Sequence, residues 1–349
     1  MQTNEHILLQ ELHDQPNAIR KTIDAEMSEI DRCARFLGRK RIHFFGMGSS
    51  YFASLYARYL LTALAHNATS SHLASEFIHY PSASPGSEVS IALSQSGESI
   101  ETVKTVRLLK KKGNFVIVVT NEQESTLARL GDWIILTHAG KEKASSTKTF
   151  ASTLAILYCL SAAVAARTKQ ISDAKKNTLV EGIMRMTRSM DVSLESWSAD
   201  ARSKSNKLVN SRAVMVLGRG PNLPSALQGA LLLKEVAKIP AEGMSSGEFA
   251  HGPIEIVSKK VSVIILGGGR TSRLQCQLAI RSKALHAWTL MITPNQVQGM
   301  DSISYGENDE YLAVFACSAV LELLAYHTAV KKRINPDRFK VIQKVTTRE

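Results

Sequence analysis

Three short segments are dense in hydroxyl groups: Gly48-Ser49-Ser50, Ser94-Gln95-Ser96-Gly97-Glu98-Ser99 and Ser145-Ser146-Thr147-Lys148. The first two fall where an apolar, strand-like run ends, the third comes later after the run Trp133–Leu136, and the second sits between a strand and a helix expected to start near Glu98. Hydroxyls, backbone N–H groups and a helix N-terminus together make a cradle for an anion, and phosphate is the anion that suits it. A single Ser or Thr ahead of a helix is an ordinary cap, but three such clusters at strand ends of one domain favour a phosphate pocket. Gly46-x-Gly48 lacks the third glycine of the dinucleotide fingerprint, and no Gly-Lys-Ser/Thr loop occurs, so a nucleotide site is discounted.

Two further residues could move protons. Glu235 closes a nearly apolar helix expected over 225–236. A carboxyl group near the end of a buried helix has its pKa raised by desolvation, which suits proton transfer; a surface glutamate in a Lys-Glu tail is the plain alternative. His251 lies in Gly247-Glu248-Phe249-Ala250-His251-Gly252-Pro253, where glycines and proline fix the backbone. Its imidazole titrates near neutrality, although a lone loop histidine is often structural, and Glu248 could cap or pair. Residue types alone reach a phosphate-binding α/β protein with a candidate acid/base pair.

The elements that must hold these groups occur twice. Ile42-His43-Phe44-Phe45 runs into Gly46-Met47-Gly48, and Val214-Met215-Val216-Leu217 runs into Gly218-Arg219-Gly220, so Gly46 matches Gly218 at an offset of 172 residues. The same offset carries Val89–Leu93 and Gly97 onto Val261–Leu266 and Gly269, which argues for duplication of a whole domain. Phe115–Val119 and Trp133–Leu136 add strands to the first copy, and their continuous apolar character is that of buried parallel strands. The expected fold is α/β, two mostly parallel open sheets with helices on both faces, flavodoxin-like, with ligands beyond the carboxyl ends of the strands. The second copy has Pro221-Asn222 and a glycine triplet in place of the hydroxyl clusters and is expected to have lost the phosphate pocket. Lys169–Lys207 reads as a helical connection.

Composition sets the frame. At 349 residues, 44% hydrophobic and 21% charged, the chain can build two cores, and disorder and coiled-coil rods are excluded. Its net charge of +12 is spread along the chain without a nucleic-acid motif, so no nucleic-acid partner is expected. Phe150–Ala166 is uncharged for 17 residues, short of the ~20 a bilayer span needs, so it reads as a buried helix and no membrane is expected. The polar start, Met1-Gln2-Thr3-Asn4, carries no secretory signal. Four cysteines without metal-ligand or disulfide spacing imply a reducing, cytoplasmic setting and no metal.

Gly46-Met47-Gly48-Ser49-Ser50, Ser94-Gln95-Ser96-Gly97-Glu98, Ser146-Thr147-Lys148, Gly229-Ala230 through Lys234-Glu235, and His251-Gly252-Pro253 together resemble the sugar isomerase (SIS) domain family. So do the opening Glu11-Leu12-His13-Asp14-Gln15-Pro16-Asn17-Ala18-Ile19 and the tail from Asn335-Pro336-Asp337-Arg338 to Lys344. The resemblance implies an N-terminal helical segment (1–36), a first SIS domain that binds phosphate (37–194), a second that carries the catalysis (195–333), and a tail (334–349) that closes the site.

The resemblance also implies roles. Ser50, Ser94, Gln95, Ser96, Ser99 and Ser146 hold a sugar phosphate, joined by Ser49 from the same cluster, and the backbone of Ala144 lines the pocket. Glu235 moves a proton between sugar carbons 1 and 2. His251 opens the ring, reaching in from the partner of a homodimer. Lys344 forms a Schiff base with the keto sugar, a phosphate contact being the alternative. No cofactor is implied. The expected activity is that of an amino-sugar-phosphate isomerase/deaminase acting on glucosamine 6-phosphate and fructose 6-phosphate. A deglycase of phosphorylated sugar–amino acid adducts, a synthase working without its own glutaminase domain, and a non-catalytic sugar-phosphate sensor are the alternatives. Two positions on the Glu235 helix, a Glu and a Lys in the amidotransferase branch, are Gln228 and Leu232 here, which sets this chain apart from that branch.

Overall fold

The computed structural model describes residues 6–81 and 88–341. The chain divides into two compact units. The first comprises Asp14–Glu142 and Lys148–Thr187; the second comprises Lys143–Thr147, Arg188–Lys340 and the opening helix α1 (Ile7–His13).

After α2 (Gln15–Leu37), the first unit alternates β1 (Ile42–Gly46), α3 (Gly48–Ala65), β2 (Thr69–Leu73), α4 (Ala74–His79), β3 (Val89–Leu93), α5 (Ile100–Lys111), β4 (Phe115–Thr120), α6 (Thr126–Leu130) and β5 (Trp133–Leu136), followed by α7 (Lys148–Arg167). All strand pairs are parallel, in the order β2-β1-β3-β4-β5. The apolar run of β3 is buried at every residue, as expected of a strand covered on both faces. Helix α7 packs against α2 and α3 and is buried over most of its length.

α8 (Asp173–Val209) is a single helix of 37 residues, where the sequence suggested a helical connection over Lys169–Lys207. The second unit then runs β6 (Ala213–Gly218), α9 (Leu223–Glu235), β7 (Ala241–Ser245), α10 (Ser246–Phe249), β8 (Val261–Leu266), α11 (Ser272–Ala284), β9 (Trp288–Thr293), β10 (Asp301–Ser304) and α12 (Ala313–Lys331). Its order, β10-β9-β8-β6-β7, repeats that of the first sheet, again with every pair parallel. Both copies therefore carry the expected flavodoxin-like arrangement. By length and composition α7 and α12 could cross a membrane, but both are almost wholly buried in the protein, which makes them core helices.

β2 and β7 left no strand signature in the sequence, and both are edge strands at the same place in the repeat. An edge strand needs only one neighbour, and Thr-Ser-Ser-His-Leu has no apolar run to read. Side chains hold β2 instead: His43 Nδ1 and His72 Nε2 each lie 2.6 Å from the Ser70 hydroxyl, and His43 Nε2 lies 2.7 Å from Glu88 Oε2. In the second unit, α9 lies so close to α12 that a Cβ on Gly229 would meet the Leu321 side chain at 2.6 Å. That glycine sets the depth at which α9, and Glu235 at its end, is seated.

Candidate active site

In a sheet of this order ligands lie beyond the carboxyl ends of the strands, where the order reverses. In the first unit that point lies between β1 and β3, which pair directly through Phe45 and Ala92. The loops that leave these two strands carry Ser49 and Ser50, and Ser94 to Ser99. α3 begins at Gly48, so Ser49 and Ser50 occupy its first turn. α5 begins at Ile100 with Ser99 at its N-cap; Glu98 stays outside the helix and accepts the Thr126 N–H at 2.6 Å.

The second loop is a fixed turn. Ser94 Oγ accepts the Gly97 N–H at 3.2 Å and lies 3.5 Å from the Ser99 hydroxyl, while Ser96 Oγ accepts from Glu98 N at 3.2 Å. The Gln95 carbonyl accepts from Asn121 N and Thr120 Oγ1, and the Gly97 carbonyl from Leu127 N. Gly97 has φ +63°, and a Cβ there would lie 2.1 Å from the Ser125 hydroxyl. Ser49, Ser50, Gln95, Ser96 and Ser99 are half-buried, so the rim of this turn is a polar surface that water or an oxyanion can reach.

The corresponding point of the second unit is filled by the chain itself. After β6 the backbone turns back at once, so a Cβ on Gly218 would lie 2.2 Å from the Asn222 carbonyl oxygen. After β8, Gly269 lies against Glu310, whose carboxylate accepts the Arg270 N–H at 3.4 Å and pairs with the Arg270 guanidinium. A carboxylate of the chain thus stands where the first copy offers hydroxyls.

Glu235 ends α9 and is half-buried. Burial raises its carboxyl above the usual range; a hydrogen bond from Ser145 and the charges of Lys238 and Lys234 partly offset that. Ser145 is 3% exposed and belongs to the segment Lys143–Thr147, which packs with the second unit although it joins two elements of the first. Three side chains fasten this segment. Glu11 accepts the N–H groups of Lys143 at 2.6 Å and Ala144 at 3.2 Å. Gln228 Nε2 donates to the Ser146 carbonyl at 2.8 Å. Ser145 reaches the Glu235 carboxylate. Lys238 adds a cation: its ammonium donates to the Glu235 carbonyl, and desolvation lowers its pKa against the opposing pull of Glu235.

The structure therefore distributes the candidate residues. Ser49, Ser50, Ser94, Gln95, Ser96 and Ser99 lie in the first unit, whereas Ala144, Ser146, Glu235 and His251 lie in the second. His251 is exposed on the turn after α10, which Ser245 caps and which packs Gly247 onto the Arg219 guanidinium. Among the described residues no hydrogen bond or ion pair joins His251 to Glu235. Lys344 lies outside the described residues. Among those described, no group of His, Cys, Asp and Glu is placed to hold a metal ion. Sequence reasoning placed Ser145 in a hydroxyl cluster but not beside Glu235, and overlooked Glu11 and Lys238 as partners of the site, because each makes its contact through space.

Comparison with known proteins gives a consistent picture. A family model described as the SIS domain matches residues 36–163 and again 207–330. The glutamine–fructose-6-phosphate aminotransferase (isomerizing) of Sulfurisphaera tokodaii is 32% identical over 350 residues, covering 99% of this chain and 57% of that protein. The chain thus spans little more than half the length of such relatives. Among solved structures, the C-terminal domain of glucosamine-fructose-6-phosphate aminotransferase from Francisella tularensis superposes with a TM-score of 0.89 at 24% identity, covering 95% of this chain and 97% of the other. Glucosamine-6-phosphate deaminase from Thermotoga maritima superposes with a TM-score of 0.76 at 21% identity, covering 97% and 99%. At those identities the likeness is one of fold.

Proposed function

The chain belongs to the SIS domain family, and we propose that it is an amino-sugar-phosphate isomerase/deaminase that converts glucosamine 6-phosphate and water to fructose 6-phosphate and ammonia. The observation that carries this reading is Glu235, a half-buried carboxylate with a raised pKa, held by Ser145 on the segment that also bears Ala144 and Ser146. The Ser94–Ser99 turn and the first turn of α3 bind the phosphate through hydroxyls and backbone N–H groups. His251 protonates the ring oxygen as the hydroxyl at carbon 1 gives up its proton, which opens the ring. Glu235 as carboxylate then takes the proton from carbon 2 and returns it to carbon 1, while a proton passes from the amino nitrogen to the carbon-1 oxygen. The double bond thereby moves from carbon 1 and oxygen to carbon 2 and nitrogen, leaving a hydroxyl at carbon 1 and an imine at carbon 2. Water adds to that imine, and ammonia departs from the resulting carbinolamine with the keto group formed. A carboxyl with a raised pKa is a stronger base when ionised, which suits removal of a proton from carbon.

The exposure of His251 supports a homodimer in which each copy lends this histidine to its neighbour. Lys344 belongs to the proposal as a residue that anchors the open-chain keto sugar. A second reading, synthesis in the reverse direction from fructose 6-phosphate and free ammonia, is favoured by the aminotransferase names of the sequence relatives. Both directions pass through the same imine. The test is a coupled assay for ammonia and fructose 6-phosphate on purified protein given glucosamine 6-phosphate, with Glu235→Gln alongside. Turnover that disappears in the variant supports reaction and base together; a folded wild-type protein that binds the sugar phosphate but turns over nothing in either direction overturns the reading.

A further inference from the structure

Helix α1 is held at both ends by groups distant in sequence. At its start, Asp337 accepts the N–H groups of Ile7 at 3.0 Å and Leu8 at 2.8 Å, an acidic cap supplied by the C-terminal segment. His6 Nδ1 lies 3.1 Å from the Tyr326 hydroxyl of α12. At its other end, the Glu11 carboxylate, 5% exposed, accepts the two backbone N–H groups of Lys143 and Ala144. Hydrogen bonds to an ionised acceptor are the strong kind, and two on one buried carboxylate fix both position and orientation of the backbone they hold. The next residue along that backbone is Ser145, which donates to Glu235.

We propose that Ser145 and Glu11 are positioning residues for the Glu235 carboxylate, and that α1 is a strut tying this group to the C-terminal segment at Asp337. The path is continuous: Asp337 to the α1 N-terminus, α1 to Glu11, Glu11 to the Lys143–Ala144 backbone, and Ser145 to Glu235. Any movement of the tail that releases Asp337 loosens the grip on the segment that holds the base. The proposal rests on the reading of Glu235 as the base, but the juxtaposition can be tested without turnover.

The groups facing Glu235 are Ser145, Lys238 and Lys234, with Lys340 beyond Lys238. Only Ser145 can be altered without changing charge. Ser145→Ala removes one hydrogen bond to the carboxylate, Glu11→Gln leaves one acceptor facing two N–H groups, and Asp337→Asn does the same at the cap. The experiment has two arms on the full chain. In the first, kcat and KM for glucosamine 6-phosphate are measured against pH for the three variants. In the second, the Glu235 carboxyl signal is titrated by carbon-13 NMR, identified by its loss in Glu235→Gln.

Ser145→Ala is expected to move the acid limb of kcat and the NMR midpoint to higher pH, with kcat at neutral pH about tenfold lower, as for loss of one hydrogen bond to a charged group. Glu11→Gln moves both in the same direction, and Asp337→Asn does so more weakly. A merely structural role would lower Tm and leave the acid limb and the NMR midpoint where they were, and that result overturns the proposal. A wild type inactive on amino-sugar phosphates whose Glu235 signal still shifts in the three variants sinks the functional reading and leaves the positioning intact.

Discussion

Gln228 donates its Nε2 proton to the carbonyl of Ser146 at 2.8 Å from a side chain with no exposure at all, while its Oε1 has no hydrogen-bond partner among the described residues. Four residues along the same helix stands Leu232, 1% exposed. These are the two positions at which the aminotransferase branch is expected to carry Glu and Lys. A neutral amide can donate to the Ser146 carbonyl; an ionised carboxylate cannot.

Gln228→Glu alone is therefore expected to destabilise the protein by about 3–5 kcal/mol at neutral pH, the typical cost of a buried charge without a partner. Leu232→Lys alone is expected to fall in the same range. Residues four apart on a helix are neighbours, so the double variant should recover part of the loss. Thermal unfolding of the four proteins gives the coupling energy as a double-mutant cycle. Additive losses would mean that the two side chains do not meet, and that the branch difference is not a swapped ion pair.

Glu235→Gln keeps the shape of the side chain but removes the proposed base. It is expected to lower kcat by about 10²–10⁴, the usual range for a positioned general base, with KM little changed. The remaining activity of the wild type should fall as pH drops through the raised Glu235 pKa, because the reaction needs the ionised form. Stability runs the other way. A carboxyl whose pKa is raised on folding favours the folded state at low pH, and that contribution is lost as pH rises through the folded pKa. Gln mimics the protonated form, so Glu235→Gln should raise Tm at pH 7, with the gain vanishing below the ordinary carboxylate range. Melting curves of both proteins at pH 7 and pH 4 decide it; a variant less stable at pH 7 would contradict the burial assigned to this group.

Much of this arrangement could be read before the structure. Parallel strands buried on both faces leave continuous apolar runs, so β1, β3, β4, β6 and β8 announced themselves, and the repeat paired their glycine turns. The hydroxyl clusters and Glu235 stood out because polar residues end apolar elements there. What stayed hidden depends on contacts between residues far apart in the chain. Glu11 looks like any glutamate on a short helix, and only its distance to Lys143 and Ala144 gives it a task. Ser145 looks like one hydroxyl in a row of them, and its neighbour Ser146 seemed the more telling residue. That a segment bounded by two elements of the first unit should pack with the second cannot be seen in a local pattern.

Gly229→Ala probes the seating of α9. The added methyl would meet Leu321 at 2.6 Å, so α9 or the Leu321 side chain must shift. Overpacking of this kind costs about 1–3 kcal/mol, and a displaced α9 carries Glu235 with it. Loss of both Tm and kcat is expected, and Leu321→Ala in the same chain should restore part of each by opening the space. No rescue by the second substitution would place the strain elsewhere.

Gly97 and Gly113 separate the phosphate cradle from backbone strain in general. Both adopt positive φ, +63° and +77°, a region that costs a residue with a Cβ roughly 1–2 kcal/mol. At Gly113, between α5 and β4, nothing lies within 4 Å of the added atom, whereas at Gly97 it would meet the Ser125 hydroxyl at 2.1 Å. Gly113 also precedes β4, so it sits at the amino end of the sheet, away from the strand ends that carry the hydroxyl clusters. Gly113→Ala is expected to lower Tm and leave sugar-phosphate KM unchanged. Gly97→Ala should lower Tm further and raise KM about tenfold or more, because the turn that fixes Ser94, Ser96 and Ser99 must open. Binding of inorganic phosphate by calorimetry checks the same contrast without turnover: retained in Gly113→Ala, weakened in Gly97→Ala. Equal phosphate affinity in the two variants would remove the Ser94–Ser99 turn from the site.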